Sequence, residues 1–263
     1  MNVRAIPVPT ETLAPDGTTN AYLVDAEDAL LVDPAARTDD LDRAVETRDV
    51  DHVLVTHTHP DHVGALGHYA DVCDATVWAL AGRDGRFERA TGVAPDRTFR
   101  EGTDIGGVEV VTTPGHAPDH VALAAGDAML TGDLVVSSGS VVVGAPEGDL
   151  RAYLTSLRRL YARDPDRLYP GHGPEVEDPR AEIERLLAHR LDREASVLAA
   201  VRSGATRLDE VVDAAYDKDV SNVRELARST VAAHLDKLAV EGKVDWDGER
   251  VQPLNLASSD SSD

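Results

Sequence analysis

The stretch "VLVTHTHPDHVG", Val53 to Gly64, constrains this chain more than any other. Its aliphatic, β-branched start reads as a buried strand. Directly behind it come His57, His59, Asp61 and His62, four side chains of metal-ligand type within six positions. At a strand end, residues two apart can point to the same side, as His57 and His59 would. Asp61 and His62 fall on the turn into the next helix. Neutral imidazole and carboxylate together suit Zn2+. A lone histidine is more often a satisfied core residue; four such side chains behind one β run are expected to form a site.

Later loops supply more candidates. "TPGHAPDH" offers His116 and His120, "LTGDL" offers Asp133 at a strand end, and "LYPGHGP" offers His172 between two glycines that let the backbone turn sharply. Each signal is weak alone. Together with the opening cluster they make a seven-ligand set. These suffice for two metals with three protein ligands each and a bridge. Two divalent cations are therefore expected, zinc first, with Mn2+ or Fe2+ also accepting such donors.

In this order, H-x-H-x-D-H, a loop histidine, an aspartate and a last histidine resemble the metallo-β-lactamase superfamily over roughly residues 1–185. The resemblance implies an α/β fold, an αββα sandwich with its metals in a cleft at one sheet edge. It implies one metal on His57, His59 and His116, a second on Asp61, His62 and His172, and Asp133 bridging them. His120 matches a histidine that is usually structural in the family. Asp33, in "LVDPA", matches an aspartate behind the metal site, for which support of a ligand is the expected role. Asp133 stands where the commonest true β-lactamases carry cysteine. His59 stands where oxygen-reducing diiron relatives carry glutamate, which disfavours that chemistry. Only 38 residues lie between Asp133 and His172, too few for the inserted domain of the superfamily's mRNA-processing nucleases. A one-iron sulfur dioxygenase keeps the same histidine string and stays open. "PEGDLRAYLTSLRRL", "PGHGP", "DPRAEIERLLAHRLDRE" and "TVAAHLDKLAVEGKV" further resemble a lactamase-β-like subfamily with a C-terminal winged helix. One member group of that subfamily is described as single-strand endoribonuclease, others as thioesterase-like.

The organisation expected is a catalytic domain over 1–185, a winged-helix domain over 186–254 and a disordered polar tail, "ASSDSSD", within 255–263. "AYLVDAE" and "ALLVDPA" read as paired strands, and "TDDLDRAVETRDV" as a helix capped by Thr38. "GALGHYADVCD" reads as a helix and "ATVWAL" as a strand. "DIGGVEVVTTPGH" reads as one strand ending in a loop, and "HVALAAGDAMLTGDLVV" as two strands around Gly126-Asp127. "GDLRAYLTSLRRLYARDP" is a helix capped by Asp149. After it come a long helix ending at Gly204, a second over "TRLDEVVDAAYDKD", one or two over "SNVRELARSTVAAHLDKLAVEGK", and a hairpin around Asp247-Gly248.

Formal net charge is −22, and the only lysines are Lys218, Lys237 and Lys243. Dispersed acid with scarce lysine suits a halophilic cytoplasm, where molar salt screens self-repulsion. It does not favour non-specific attraction to nucleic acid. The single cysteine, Cys73, excludes an internal disulfide framework and is expected to be buried and inert. No run is long and apolar enough to span a membrane, and the N-terminus has no leader-like apolar region. A cytoplasmic protein without a membrane partner is expected.

Two close cations lower the pKa of a water between them, as zinc does from about 16 to about 7. The reaction expected is thus hydrolysis by a dinuclear metal-dependent enzyme using a metal-bridging hydroxide. Asp61 would orient the nucleophile and Asp133 set the metal spacing, making these two the catalytic carboxylates. The first substrate class expected is a phosphodiester, single-stranded RNA. A thioester hydrolase resembling hydroxyacylglutathione hydrolase (glyoxalase II), with a small ester or thioester as partner, is the alternative. A non-catalytic winged-helix regulator with a metal-binding domain is another. The winged helix would contact nucleic acid, pack on the catalytic domain, or make a homodimer.

Overall fold

The computed structural model describes residues 1–254. The tail expected to be disordered lies outside them. A six-stranded sheet is built from β1 (Asn2–Pro9), β2 (Thr18–Asp25), β3 (Leu30–Val32), β4 (His52–Leu54), β5 (Thr76–Leu80) and β6 (Arg97–Phe99), paired in that order. The first two pairings are antiparallel and the rest parallel. Parallel strands covered on both faces carry continuous apolar runs, which is why "HVL" and "LLV" show no alternation. A five-stranded sheet holds β7 (Asp104–Ile105), β8 (Val108–Thr112), β9 (Val121–Ala125), β10 (Ala128–Gly132) and β11 (Arg167–Pro170), with β10 and β11 parallel.

Helices cover both outer faces. On the first sheet lie α1 (Asp39–Glu46), the single turn α2 (Pro60–Val63), α3 (Leu66–Cys73) and α4 (Asp84–Thr91). Leu41, Leu66, Tyr69 and Phe87 pack there against Val53 and Val77. Thr38 caps α1, accepting from the Leu41 amide at 3.2 Å. On the second sheet lie α5 (Leu150–Arg163) and α6 (Pro179–Arg202), whose Leu154, Leu157, Ile183 and Leu186 meet Val111, Ala122 and Met129. Asp149 caps α5 by accepting from the amides of Arg151 and Ala152. Between the sheets, Leu30, Leu54 and Trp78 face Val110, Leu123 and Leu130. Each such aliphatic side chain contributes about 1.5–3 kcal/mol on burial. The result is an αββα sandwich.

Helix α6 serves two cores. Its first half belongs to the sandwich, and Val197, Ala200 and Val201 enter a separate core with α7 (Leu208–Ala215), α8 (Arg224–Val240) and the hairpin β12 (Val244–Trp246) and β13 (Val251–Pro253). The chain therefore has no clean break near residue 185. Ala233 of α8 in turn reaches the sandwich core.

Some expectations need correction. "DIGGVEVV" is a two-strand hairpin: Gly106 and Gly107 both have positive φ, 56° and 88°, and reverse the chain between β7 and β8. "SNVRELAR…", expected to give one or two helices, gives one, preceded by a 3-10 turn at Ser221–Val223, in keeping with that expectation. Cys73 is half-buried rather than buried, at the end of α3, with burial still pushing its thiol pKa up. Strands β1 and β6 and helix α4 have no counterpart in the sequence reading.

Candidate metal centre

The seven candidate ligands all lie beyond the carboxyl ends of strands, at one end of both sheets. His57 and His59 follow β4, and Asp61 and His62 lie on α2. His116 sits on the loop after β8, Asp133 directly after β10, and His172 two residues after β11. The last loop is tied across to the first sheet. The Asn20 amide group donates to the Pro170 and Gly173 carbonyls at 3.0 and 2.8 Å, and the Tyr22 hydroxyl to Pro170 at 2.6 Å.

Three overlapping sets result: His57, His59 and His116; His57, His62 and Asp133; Asp61, His62 and His172. Within each, the ligand atoms lie inside 4.8 Å of one another. Nε2 of His57 and Nε2 of His116 approach Nδ1 of His59 at 3.0 and 2.8 Å. Asp133 stands between the groups, with Oδ2 at 3.5 Å from His116 Nε2 and Oδ1 at 3.5 Å from His62 and 3.4 Å from His172. Asp61 Oδ2 is 3.6 Å from His172 Nε2.

The outward nitrogens decide what the inward ones are. His116 Nδ1 meets the Val142 carbonyl at 2.7 Å and His172 Nδ1 the Thr18 carbonyl at 2.8 Å, so both must be N–H donors. His62 Nδ1 meets Asp33 Oδ2 at 3.0 Å. Asp33 also accepts the Thr56 amide and hydroxyl at 2.6 and 2.7 Å. With its hydroxyl proton so committed, Thr56 can only accept from His57 Nδ1, 3.1 Å away. His59 turns the other way, with Nε2 on Glu147 at 3.3 Å. In the neutral form, each of the five imidazoles therefore directs its unprotonated nitrogen inward. His120 differs: its Nε2 accepts the Asp133 amide at 3.0 Å and its Nδ1 lies on Thr113. Its lone pair is used in placing Asp133.

Electrostatics agree with a cation-receiving donor set. Burial, and then neighbouring imidazoles, push His57 well below the usual histidine range, lower His116, and bring His120 down to about 3. For His62 and His172, burial works in the same direction, but Asp33 and Asp133 for the first, and Asp133 with the Thr18 carbonyl for the second, outweigh it and raise the pKa. Positive charge is therefore favoured there, as a proton or as a cation that displaces it. Asp133 is held well below the carboxylate range by His172, His62 and His57 despite its burial. Among the described residues, His62 Nε2 and Asp133 Oδ1 are buried without a hydrogen-bond partner. Orphaned buried donor atoms beside facing imidazole lone pairs call for a cation. Two glycines make the fit possible. A Cβ on Gly171 would lie 2.6 Å from Asp133 Oδ1, and one on Gly132 would lie 2.6 Å from Thr56 Oγ1.

These residues sit in a chain of known kind. Residues 14–172 match the Metallo-beta-lactamase superfamily, and residues 208–250 match the Beta-lactamase associated winged helix domain. The chain belongs to the metallo-β-lactamase superfamily. This metallo-β-lactamase-fold protein is 33% identical to the Beta-lactamase-like protein 2 homolog of Drosophila melanogaster, over 76% of its own length and 72% of the relative's. It superposes on a metallo-beta-lactamase family protein from Thermus thermophilus, TTHA1429, with a TM-score of 0.75 at 26% identity, covering 95% and 98% of the two chains. It also resembles TTHA1623, whose structure was solved in a di-iron-bound form, with a TM-score of 0.54 at 31% identity, over 66% of this chain and 96% of that one. It is a metal-dependent hydrolase of the superfamily, with a His/Asp cluster suited to divalent metal. No helix among the described residues is long and apolar enough to cross a membrane.

The sequence pattern gave no warning of several supporting residues. Glu147 holds His59 and pairs with Arg86, whose Nε donates to Asp119 and Thr58 at 3.0 and 2.8 Å. Tyr153, fully buried on α5, donates to the Leu134 carbonyl beside Asp133 at 2.8 Å. Thr56, next to His57, was the one findable from position alone.

Proposed function

We propose that this chain is a two-metal hydrolase whose substrate is a small thioester or ester. The carrying observation is the donor set: five imidazoles with their outer N–H groups satisfied, and two carboxylates, presented to one place. His57, His59 and His116 would hold one cation, Asp61, His62 and His172 the other, and Asp133 both. Zinc is the first choice; the di-iron relative keeps iron open, and manganese accepts the same donors. Bound there, such cations supply Lewis acidity and an ionised water at neutral pH. The protein's own part is orientation. Asp33, Thr56, Glu147 and two backbone carbonyls fix the imidazoles. Asp61, more open to solvent than Asp133, is the carboxylate placed to orient an incoming water.

Single-stranded RNA is the second reading, favoured by the winged helix, since such modules often contact nucleic acid. The ion pairs weigh against it. Arg224 is paired with Asp209 and Asp213, Arg228 with Asp209, Lys237 with Glu194 and Glu241, and Lys243 with Glu241. The clustered cations are thus neutralised; Arg202, Arg207, Lys218 and Arg250 stay exposed, but acids outnumber bases from His189 onward. The overall charge supports a high-salt cytoplasm as the working environment. The test is hydrolysis of a lactoyl-thioester and of end-labelled single-stranded RNA, side by side, in molar KCl with Zn2+ or Mn2+. His57→Ala, prepared identically, controls for contaminants. Thioester turnover lost in His57→Ala, with RNA intact, is the expected result. RNA cleavage by the wild type alone would reverse the order of the two readings.

A further inference from the structure

The connection between β10 and α5 carries two things the metal centre needs. The Val142 carbonyl holds His116, and the Glu147 carboxylate holds His59. These are two of the three histidines in the set His57, His59 and His116. The connection's segment 141–147 meets the C-terminal helices at three points, and Arg185 of α6 also donates to the Gly139 carbonyl just before it. Arg190, buried on α6, donates to the Val141 carbonyl, the residue before Val142. The Ala145 amide donates to the Ser229 carbonyl on α8 at 3.0 Å. Gly144 is pressed on the same residue: a Cβ there would lie 2.3 Å from Ser229 Oγ and 3.0 Å from its Cβ. Arg190 also lies over the Tyr153 ring at 5.2 Å, and Tyr153 holds the carbonyl next to Asp133.

We infer that the C-terminal helices are a working wall of the metal centre, with Arg190 a positioning residue for His116 and His59 through the segment 141–147. This rests on the reading that those two histidines hold a metal. The physical reason is that a loop of this length, "VVVGAPE", has no sheet partner to fix it, so its carbonyl at 142 is only as well placed as its outside anchors. Groups that orient metal ligands typically change affinity about 10–100-fold when removed. Only one of the two cation positions depends on this loop. The other is oriented by Asp33 and the Thr18 carbonyl, which do not touch it.

The test is zinc titration of the full chain against a chromophoric chelator, with thermal unfolding measured alongside. The variants are Arg190→Met, Arg190→Lys, Gly144→Ala and the double variant Gly144→Ala with Ser229→Gly. Arg190→Met and Gly144→Ala are expected to weaken one zinc about tenfold or more and leave the other in place. Arg190→Lys should recover part of the loss. The double variant should recover most of it, because Ser229→Gly removes the atoms a new Cβ would strike. A purely structural role would lower the unfolding midpoint of Arg190→Met while both zinc affinities held at the wild-type value, and that result overturns the proposal. His116→Ala separates the two ideas. If it loses one zinc while Arg190→Met loses none, the ligand reading stands and this proposal falls. If His116→Ala binds zinc as the wild type does, the ligand reading itself falls and takes the proposal with it.

Discussion

Replacing Gly171 by alanine should disable the metal centre through a single methyl group. Gly171 is outside the left-handed region of φ, so alanine costs nothing in backbone conformation. Its backbone cannot retreat. Its amide donates to the Gly132 carbonyl at 2.9 Å, and its carbonyl accepts the Asn20 amide at 2.8 Å. The new Cβ would stand 2.6 Å from Asp133 Oδ1 and 2.9 Å from His62 Cε1, whereas real Cβ atoms keep at least 3.0 Å and settle at 3.4 Å or more. The carboxylate must therefore move by 3.0 − 2.6 = 0.4 Å at least, and 3.4 − 2.6 = 0.8 Å for ordinary contact. Metal–ligand distances tolerate only about 0.2 Å, and misplacement near 1 Å can cost about a hundredfold in rate. The expected outcome is a loss of about 10–100-fold in zinc affinity, or about 1.4–2.7 kcal/mol, with turnover down about a hundredfold. Overpacking should cost about 1–3 kcal/mol of stability. Zinc titration, steady-state turnover and calorimetry of the purified variant measure all three. Wild-type affinity and turnover in Gly171→Ala would refute the placement of Asp133 at the heart of the centre.

Asp133→Asn should weaken both cations and abolish turnover; full activity in that variant would sink the bridging role. Glu194, buried between α6 and α8, would have its carboxyl raised by burial alone, but His234 and Lys237 hold it at about 2, below the ordinary 4.5. A depressed carboxylate stabilises the fold above its unfolded pKa, so about 2–3 kcal/mol should be present above pH 4.5 and drain away toward pH 2. In Glu194→Gln that acid limb should be flatter in a circular-dichroism titration; superimposable limbs would remove Glu194 from the account. Thr38→Ala should cost about 1 kcal/mol in denaturant unfolding through loss of the α1 cap, and an unchanged midpoint would show the cap to be idle. Cys73→Ser should keep turnover within tenfold of wild type; a larger loss in a folded variant would mean the thiol has a role at the site.

The histidine string was legible because its members are close in sequence and follow a continuous apolar run, two local signals that agree. Asp133 and His172 were readable from flanking glycines, and those glycines are required: their missing Cβ atoms are what let Asp133, His62 and Thr56 crowd together. Glu147 and Arg86 were not readable. They meet the histidine loop from 88 and 28 residues away, as ordinary loop and helix charges with no spacing rule. Strand β1 was missed because Pro7 and Pro9 argue against a strand, yet β1 pairs only with β2 and an edge tolerates proline. Helix α4 buries only Phe87, so its apolar periodicity is almost absent. Lys237, one of only three lysines, is buried with Glu194, a pairing set by packing of α6 on α8 and not by any spacing in the sequence.

The central claim is that one donor set holds two cations and that both are needed for hydrolysis. The most direct test is the metal content of purified, chelator-stripped protein reloaded with zinc, followed by mass spectrometry and paired with turnover at each loading. Two zinc ions per chain, with activity rising only as the second is bound, is the predicted result. Full activity with one ion, or no tight zinc at all in folded protein, would contradict the account.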